Sequence, residues 1–283
     1  MTEDASDPSV EALERWERAA AGWSARANEI RDFGMPVSVW MIEQLGLQPG
    51  QRAVELAGGP GDTGFMAAEL VSPGGSLLST DAVESMLDVA RERARSMGLS
   101  NVDFKRVDLQ WIDLDTASFD AALCRWGLMF VSDPGAALQE LRRVLRPGGR
   151  AALAVWAEPE RNPWATIPTR ALVELGHVEP PDPSAPGMFV LADAERLGGL
   201  LEDAGFTDVV VERVELSRPD RDVEEYLNGT LELSRPFAEV RERLTDEQWA
   251  GVEARVSELV EPFTGGDGTL LFPACSLGVA ASA

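Results

Sequence analysis

The sequence predicts an α/β protein of three layers, in which helices cover both faces of a mainly parallel β-sheet. Two observations carry this prediction. Over residues 50–156, short apolar runs alternate with stretches whose apolar residues recur every three or four positions, as expected of βαβ units. A glycine-rich turn, GGPG at 58–61, directly follows the first apolar run and opens the first of those helical stretches.

Seven runs have the composition of strands. They lie at 52–57, 76–80, 102–107, 119–124, 150–156, 207–216 and 268–281. Helical patterns separate most of the first five, so we expect these strands to run parallel and to be buried on both faces. Pro273 interrupts the last run, which is therefore either one broken strand or a pair of strands.

Helical spacing occupies most of the remaining chain. The predicted helices lie at 10–23, 37–45, 62–71, 83–97, 134–145, 165–175, 191–206 and within 221–262. The last of these stretches is highly charged, which predicts that the side chain of Tyr226 is exposed. Residues 157–190 are rich in proline and interrupt the alternation of strands and helices.

The overall composition excludes several classes of partner. The formal net charge of -23 disfavours nucleic acid and anionic membrane surfaces, because both would repel the protein. Cys124 and Cys275 form no C-x-x-C motif, and we predict no metal site. The acidic N-terminus lacks the features of a secretory signal, and no apolar run approaches the roughly 18 residues of a membrane span. We therefore expect a soluble, cytoplasmic protein.

The turn after the first strand has the composition of a cofactor-binding loop. It reads ELAGGPGDTG at 55–64, and Gly59, Gly61 and Gly64 fit the spacing G-x-G-x-x-G. Such a turn offers backbone N–H groups and close approach to a ligand. Asp81, at the end of the second strand, can accept hydrogen bonds from both hydroxyls of a ribose. These features fit a dinucleotide and other adenosine cofactors equally well.

Three further features favour S-adenosylmethionine over a dinucleotide. Glu55 directly precedes the turn, where its charge would repel a pyrophosphate but attract an ammonium or sulfonium group. Asp108 ends the third strand, where it can accept a hydrogen bond from an adenine amine. The chain also lacks a second βαβαβ half with its own nucleotide turn.

Four segments together resemble the class I S-adenosylmethionine-dependent methyltransferases, with a domain of the methyltransferase type 11/25 kind. They are the run 55–61, Asp81 with the following AVESMLDVARERA, the VD at 107–108, and LRRVLRPGGRAALAVW at 141–156. The chain is similar to the branch related to quinone-biosynthesis methyltransferases, and CRWGLMFVSDP at 124–134 and ERNPW at 160–164 resemble bacterial small-molecule methyltransferases of that branch. The resemblance covers residues 50–156 strongly and the rest loosely. It implies a three-layer αβα Rossmann-like sandwich with a seven-stranded sheet, an antiparallel last strand and helical cap insertions.

This arrangement divides the chain into four segments. We expect residues 1–48 to form an N-terminal helical segment over the cofactor site, and 49–156 to form the S-adenosylmethionine-binding core. Residues 157–190 form a cap insertion, and 191–283 complete the core with a helical insertion at about 217–265. Because the insertions follow the fifth and sixth strands, we expect them to form a cap over a pocket.

The resemblance also implies cofactor-binding roles for eleven residues. Glu55 would hold the methionine end, Asp81 the ribose and Asp108 the adenine, while Arg125 would pass beneath the methionine. The full set is Glu55, Ala57, Gly58, Gly59, Gly61, Asp81, Ala82, Met86, Asp108, Leu109 and Arg125. One position departs from the family, which usually has glycine where this chain has Ala57.

The predicted function is methyl transfer to a small-molecule acceptor, with an apolar or aromatic metabolite favoured. Six apolar residues after the fourth and fifth strands, in the cap or in the first helix are candidates to line the acceptor pocket. They are Trp23, Trp126, Met129, Trp156, Trp164 and Phe189. A general base is needed only if the acceptor must lose a proton, so no catalytic residue is assigned.

Three alternatives stay open at the level of the sequence. A nicotinamide-dependent oxidoreductase is disfavoured by Glu55 and by the missing second half. An enzyme that binds the same cofactor for other chemistry, such as a cyclase or decarboxylase, is not excluded. A binding protein that senses the cofactor would lack an acceptor pocket. The sequence leaves the oligomeric state, the acceptor and the methylated atom undetermined.

Overall fold

A computed structural model describes residues 8–183 and 185–283, and the side chains of these residues except at 8–12 and 15. Residues 1–7 of the predicted N-terminal segment, and the side chain of Val10 in its first helix, therefore lie outside the described part.

The core of the structure is a single mixed sheet. Its strands are β1 (Arg52–Glu55), β2 (Ser76–Asp81), β3 (Val102–Arg106), β4 (Phe119–Arg125), β5 (Leu145–Trp156), β6 (Thr207–Asp220) and β7 (Leu270–Ser282). They are arranged in the order β3-β2-β1-β4-β5-β7-β6. The pairs among β1 to β5 are parallel, and β7 runs antiparallel to both β5 and β6. This confirms the seven-stranded, mainly parallel sheet with an antiparallel last strand.

The last strand is continuous despite its proline. Pairing between β5 and β7 ends at Trp156 and Ser276, so Pro273 faces only one neighbouring strand, where it lies opposite Ser217 of β6. A proline is tolerated there because its missing N–H can point to the unpaired side. Of the two arrangements left open by the sequence, the structure has the single strand.

Ten α-helices occur in the described residues. They are α1 (Pro8–Ala25), α2 (Ala27–Leu45), α3 (Thr63–Val71), α4 (Glu84–Ser96), α5 (Pro134–Val144), α6 (Pro163–Glu174), α7 (Ala194–Asp203), α8 (Val223–Leu233), α9 (Arg235–Arg243) and α10 (Asp246–Val260). The second helix begins ten residues before its predicted start and includes Gly34 and Pro36, which interrupt helical patterns in the sequence. Burial of one face from Ala27 to Leu45 outweighs their low propensity.

Helices from the two insertions share a second apolar core beyond the carboxyl end of β5. In this core Ile167 of α6 packs with Tyr226 of α8, Phe237 of α9, Trp249 of α10 and Phe272 of β7. The prediction that Tyr226 is exposed was wrong, because its ring is fully buried and its hydroxyl donates to the carbonyl of Trp164 at 2.6 Å. Burial raises the pKa of that hydroxyl. The charged residues Glu224 and Glu232 of α8 are exposed to solvent instead.

No helix in the described ranges is both long enough and apolar enough to cross a membrane.

Candidate functional site

The glycine turn between β1 and α3 has a backbone that only glycine adopts easily. Gly59 and Gly61 have φ values of +55° and +74°. The N–H of Gly58 donates to the carbonyl of Thr80 at 2.8 Å, which fastens the turn to the end of β2. A β-carbon added at Gly59 would meet no atom within 4 Å, so the turn is open on that side. This open face fits a cofactor that lies against the backbone.

Glu55 lies beneath the glycine turn. Its side chain is buried, with Oε1 accepting from the N–H of Gly64 at 2.7 Å and Oε2 from the hydroxyl of Ser79 at 3.0 Å. Burial raises the pKa of the carboxyl to about 7, while the bond from Gly64 and the charge of Arg125 act in the opposite direction. Glu55 therefore supports the turn from below, and direct contact with a cofactor stays a prediction.

Asp81 holds the turn from the side. Its Oδ2 accepts from the N–H of Gly59 at 2.9 Å, and its Oδ1 accepts from the N–H of Val83 at 2.9 Å. Burial raises the pKa of the carboxyl, and these backbone bonds lower it. Each carboxylate oxygen has a further lone pair, so the residue can still accept hydrogen bonds from ribose hydroxyls.

Helix α1 covers the side of the site that the adenine is predicted to occupy. Ala20 packs against Val83 and Met86 at the start of α4, and Trp16 and Trp23 pack against this group. The ring of Trp16 also lies 5.1 Å from the ring of Phe130, which follows β4. The first helix thus bridges the segments that follow β2 and β4.

The segments after β1, β3 and β4 meet at one point. A β-carbon on Gly127 would lie 2.5 Å from Cβ of Ala57 and 3.3 Å from Cδ1 of Leu109. Asp108 is exposed beside them, with Oδ1 accepting from the N–H of Gln110 at 2.9 Å. The predicted cofactor residues therefore come together at the carboxyl edge of the sheet, where ligands bind in open α/β folds.

Ala82, another predicted cofactor residue, follows Asp81 at the end of β2. Its carbonyl accepts a hydrogen bond from Nε of Arg106 at 2.9 Å. That all eleven predicted cofactor residues form one cradle, and that they contact the cofactor, stay predictions.

Arg125 ends β4 and is almost fully buried. Its Nη2 donates to Oδ2 of Asp62 at 3.0 Å and its Nη1 donates to the hydroxyl of Ser38 at 3.2 Å. Burial lowers the pKa of the guanidinium, and the charges of Asp62 and Glu55 raise it. No role was predicted for Asp62 or Ser38. Asp62 lies within the glycine motif, between Gly61 and Gly64, but nothing in the sequence showed that it pairs with Arg125.

Four rings form what we call the aromatic cluster, next to Arg125. The rings of Trp126 and Trp156 stack 4.2 Å apart, and Trp164 meets Trp156 edge-on at 5.1 Å. Phe33 of α2 stacks on Trp156 at 5.9 Å and completes the cluster. Sequence reasoning missed Phe33 because the predicted helix began after it. The four-residue spacing of Phe33, Val37 and Met41 was the available signal.

The six predicted pocket residues do not line a single pocket. Trp126, Trp156 and Trp164 belong to the aromatic cluster, whereas Trp23 lies on α1. Met129 is fully buried, and its carbonyl accepts from the N–H of Gly187 at 3.0 Å. Phe189 borders a separate cavity of about 560 Å³ with acidic walls. Contact of any of them with an acceptor stays a prediction.

Comparison with known proteins adds sequence and structural relatives. Residues 56–153 match the family described as a methyltransferase domain. The chain is 30% identical over 177 residues to the ubiquinone/menaquinone biosynthesis C-methyltransferase UbiE of Cellvibrio japonicus, in an alignment covering 59% of this chain and 71% of that protein. A SAM-dependent methyltransferase of Aquifex aeolicus has a similar structure, with a TM-score of 0.53, 18% identity and coverage of 92% and 97% of the two chains. The [4+2]-cyclase SpnF shares the fold as well, with a TM-score of 0.52, 22% identity and coverage of 86% and 79%. These structures confirm the predicted fold.

Proposed function

The chain belongs to the S-adenosylmethionine-dependent methyltransferases related to UbiE, and we propose that it methylates a small apolar or aromatic acceptor bound at the aromatic cluster. The reaction class and the cofactor were predicted from the sequence, and family membership confirms them. The class of acceptor and the roles of individual residues are the subject of the proposal.

One observation supports this proposal above the others. Two consecutive residues, Arg125 and Trp126, belong to the two neighbouring parts of the site. Arg125 is bonded to Asp62 of the glycine turn, and Trp126 stacks within the aromatic cluster. A donor on the glycine turn and an acceptor at the cluster would therefore occupy adjoining parts of one site, as direct transfer requires.

The chain's own residues have limited tasks in such a reaction. S-adenosylmethionine, when bound, supplies a methyl group on a positively charged sulfur. The open face at Gly59 and the carboxylate of Asp81 would hold it, and the buried rings of Trp126 and Trp156 would exclude water and orient the acceptor. Alignment of donor and acceptor accounts for most of the catalysis in a displacement of this kind.

The aromatic composition of the cluster favours an aromatic acceptor. The rings of Trp126 and Trp156 are nearly parallel, with 20° between their planes, and aromatic molecules pack favourably against aromatic side chains. UbiE is named for C-methylation in quinone biosynthesis, and a quinone-type ring is one acceptor that fits. The indole nitrogen of Trp126 donates a hydrogen bond to the hydroxyl of Ser276 at 2.8 Å, which fixes the orientation of this ring.

Calorimetry would test the cofactor site. We expect S-adenosylmethionine and S-adenosylhomocysteine to bind and NADH not to bind. Glu55→Gln preserves an oxygen for the N–H of Gly64 and an amide for Ser79, whereas Glu55→Ala removes both bonds. If Glu55 supports the turn, only the alanine variant loses affinity. If its charge holds the cofactor, both variants bind S-adenosylmethionine more weakly.

An activity screen would test the acceptor class. Quinols, phenols and aliphatic amines would be incubated with S-adenosylmethionine, and S-adenosylhomocysteine release would be measured. We expect release with the aromatic compounds, weakened by Trp156→Leu, with Trp111→Leu, an exposed tryptophan outside the cluster, as the matched control. Release with amines alone would contradict the proposal. Conversion of an acceptor without S-adenosylhomocysteine release would indicate non-methylating chemistry on this scaffold.

A further inference from the structure

We propose that Asp62 is a positioning residue that fixes the glycine turn and Arg125 in one arrangement. This inference deepens the cofactor role of the turn and rests on the proposed function. Asp62 itself has no part in the predicted cofactor contacts. It follows Gly61 directly and precedes the first residue of α3.

The carboxylate of Asp62 is shared between two guanidinium groups. Its Oδ1 accepts from Nη2 of Arg93 at 2.8 Å and its Oδ2 accepts from Nη2 of Arg125 at 3.0 Å. Only 3% of the Asp62 side chain is exposed. Each oxygen is therefore occupied by an arginine of a different element, α4 in one case and β4 in the other.

Arg93 holds the turn at two points. Besides its bond to Asp62, its Nη1 donates to the carbonyl of Pro60 at 2.9 Å. These two bonds lie on either side of Gly61, whose φ of +74° is part of the turn geometry. A guanidinium can span both acceptors because its donors are fixed in a planar fork.

Arg125 connects the same carboxylate to α2. Its Nη1 donates to the hydroxyl of Ser38, which is 2.8 Å from the hydroxyl of Thr63 at the start of α3. A β-carbon on Gly34 would come within 1.9 Å of that Nη1, so α2 approaches the guanidinium only because residue 34 is glycine. Three elements thus converge on the end of the glycine turn.

The energetics of the cluster make Asp62 hard to replace. Arg125 is almost fully buried and stacks over the ring of Trp126, with 4.7 Å between guanidinium carbon and ring centroid. Removing the carboxylate would leave this charge buried without its principal partner, which is strongly destabilising. Removing both charges instead eliminates the uncompensated buried guanidinium, so the double variant should lose less stability than Asp62→Asn alone.

The consequence for binding follows from the backbone. Ligand recognition by the turn depends on the positions of N–H groups and carbonyls, and a displacement of about 1 Å is enough to cost a large factor in function. Asp62 acts on those positions through Arg93 and Arg125 and not through a ligand contact. A positioning role can therefore be told from a purely structural one, because a variant that regains stability without regaining affinity has lost the positions of the turn.

A double-mutant cycle tests the inference, with S-adenosylhomocysteine as the calorimetric probe and thermal unfolding as the second readout. We expect Asp62→Asn to lower the melting temperature and weaken binding about tenfold or more. Arg125→Met alone should also weaken binding. The double variant should recover most of the melting temperature, while its affinity stays as low as that of the weaker single variant.

Asp120→Asn is the matched control. Asp120 also joins an arginine, Arg146, to a backbone N–H, that of Arg52, but at the opposite end of the sheet. It should lower stability and leave the affinity unchanged. Three outcomes would overturn this inference alone. They are wild-type affinity in Asp62→Asn, recovery of both affinity and stability in the double variant, and losses of affinity that multiply in the double variant as if the two residues acted independently. Failure of the wild-type protein to bind S-adenosylhomocysteine would overturn the cofactor assignment together with it.

Discussion

The β-carbon of Ala57 lies 2.5 Å from the point that a β-carbon on Gly127 would occupy. Ala57 follows β1 and Gly127 follows β4, so the two strand ends that form the centre of the site interlock at this contact. Ala57 and Trp126 both have left-handed backbones, with φ of +50° and +60°. Non-glycine residues in this region are strained, and such strain is concentrated at functional sites.

The contact predicts that Gly127→Ala is destabilising. The new methyl group would collide with Ala57 and approach Sγ of Cys124 to 3.0 Å, and overpacking of this kind costs about 1–3 kcal/mol. Thermal unfolding would measure the loss. Ala57→Gly removes the colliding methyl group and should restore part of the stability of Gly127→Ala. Equal losses with alanine and with glycine at position 57 would contradict the interlocking.

Glu55→Gln should raise stability at neutral and alkaline pH. The folded-state pKa of about 7 exceeds the carboxyl's ordinary value of 4.5, so the folded protein retains a proton that the unfolded chain loses between these values. Stability contributed by that proton is complete below about pH 4.5 and is lost as the pH rises to about 7. The difference corresponds to at most about 3 kcal/mol. Denaturant unfolding from pH 4 to 8 should show the variant gaining on the wild type as pH rises.

Glu140→Gln is the control, because its effect on stability at neutral pH should have the opposite sign. The hydrogen bond from Arg143 holds the pKa of Glu140 below its ordinary value, so this carboxylate stabilises the protein above its unfolded-state pKa and loses that effect in acid. Its variant should be less stable than the wild type at neutral pH and equal to it at low pH. If the stabilities of the two variants changed with pH in the same direction relative to the wild type, the raised pKa of Glu55 would be refuted.

Gly34→Ala and Gly251→Ala should have opposite effects on stability, although both glycines lie inside helices. Alanine is favoured over glycine in a helix by about 1 kcal/mol, and at Gly251 of α10 a β-carbon meets nothing within 4 Å. At Gly34 of α2 it would displace the bonded guanidinium of Arg125. We expect a higher melting temperature for Gly251→Ala, and a lower one with weaker S-adenosylhomocysteine binding for Gly34→Ala. A stabilised Gly34→Ala variant with intact binding would be inconsistent with this geometry.

Gly22→Ala should weaken the packing of α1 against α8. A β-carbon there would lie 2.2 Å from the carbonyl oxygen of Glu232 in α8, and this backbone atom cannot move independently of its helix. The same Glu232 forms a salt bridge, at 2.5 Å, with Arg26, which lies just after the end of α1. Hydrogen exchange of α1 should increase and cofactor affinity should fall. Gly199→Ala in α7, where a β-carbon meets nothing within 4 Å, should change neither.

Several features of the site were accessible from the sequence because they depend on neighbouring residues. Strand and helix alternation, the glycine turn and Asp81 at the end of β2 all follow from local patterns with fixed spacing. The cradle at the carboxyl edge of the sheet follows from the topology, which those patterns imply.

Side-chain directions were not accessible in the same way. The orientation of Glu55 beneath the turn depends on Ser79, 24 residues later in the chain. The burial of Tyr226 depends on Trp164, 62 residues away, and outweighs the charged composition of its helix. The continuation of α2 through Gly34 and Pro36 depends on the surfaces that bury its inner face.

The sequence by itself therefore determined the fold class, because a parallel sheet and its glycine turn are encoded in short-range periodicity and motif spacing, and its resemblance to methyltransferases indicated the cofactor and the reaction. Only the tertiary structure decided that Asp62 lies between Arg93 and Arg125, which are 31 and 63 residues distant, and that Phe33 joins the three tryptophans. Such pairings arise when separate helices pack on the sheet, and the free energy that selects them comes from burial and charge compensation across the whole chain.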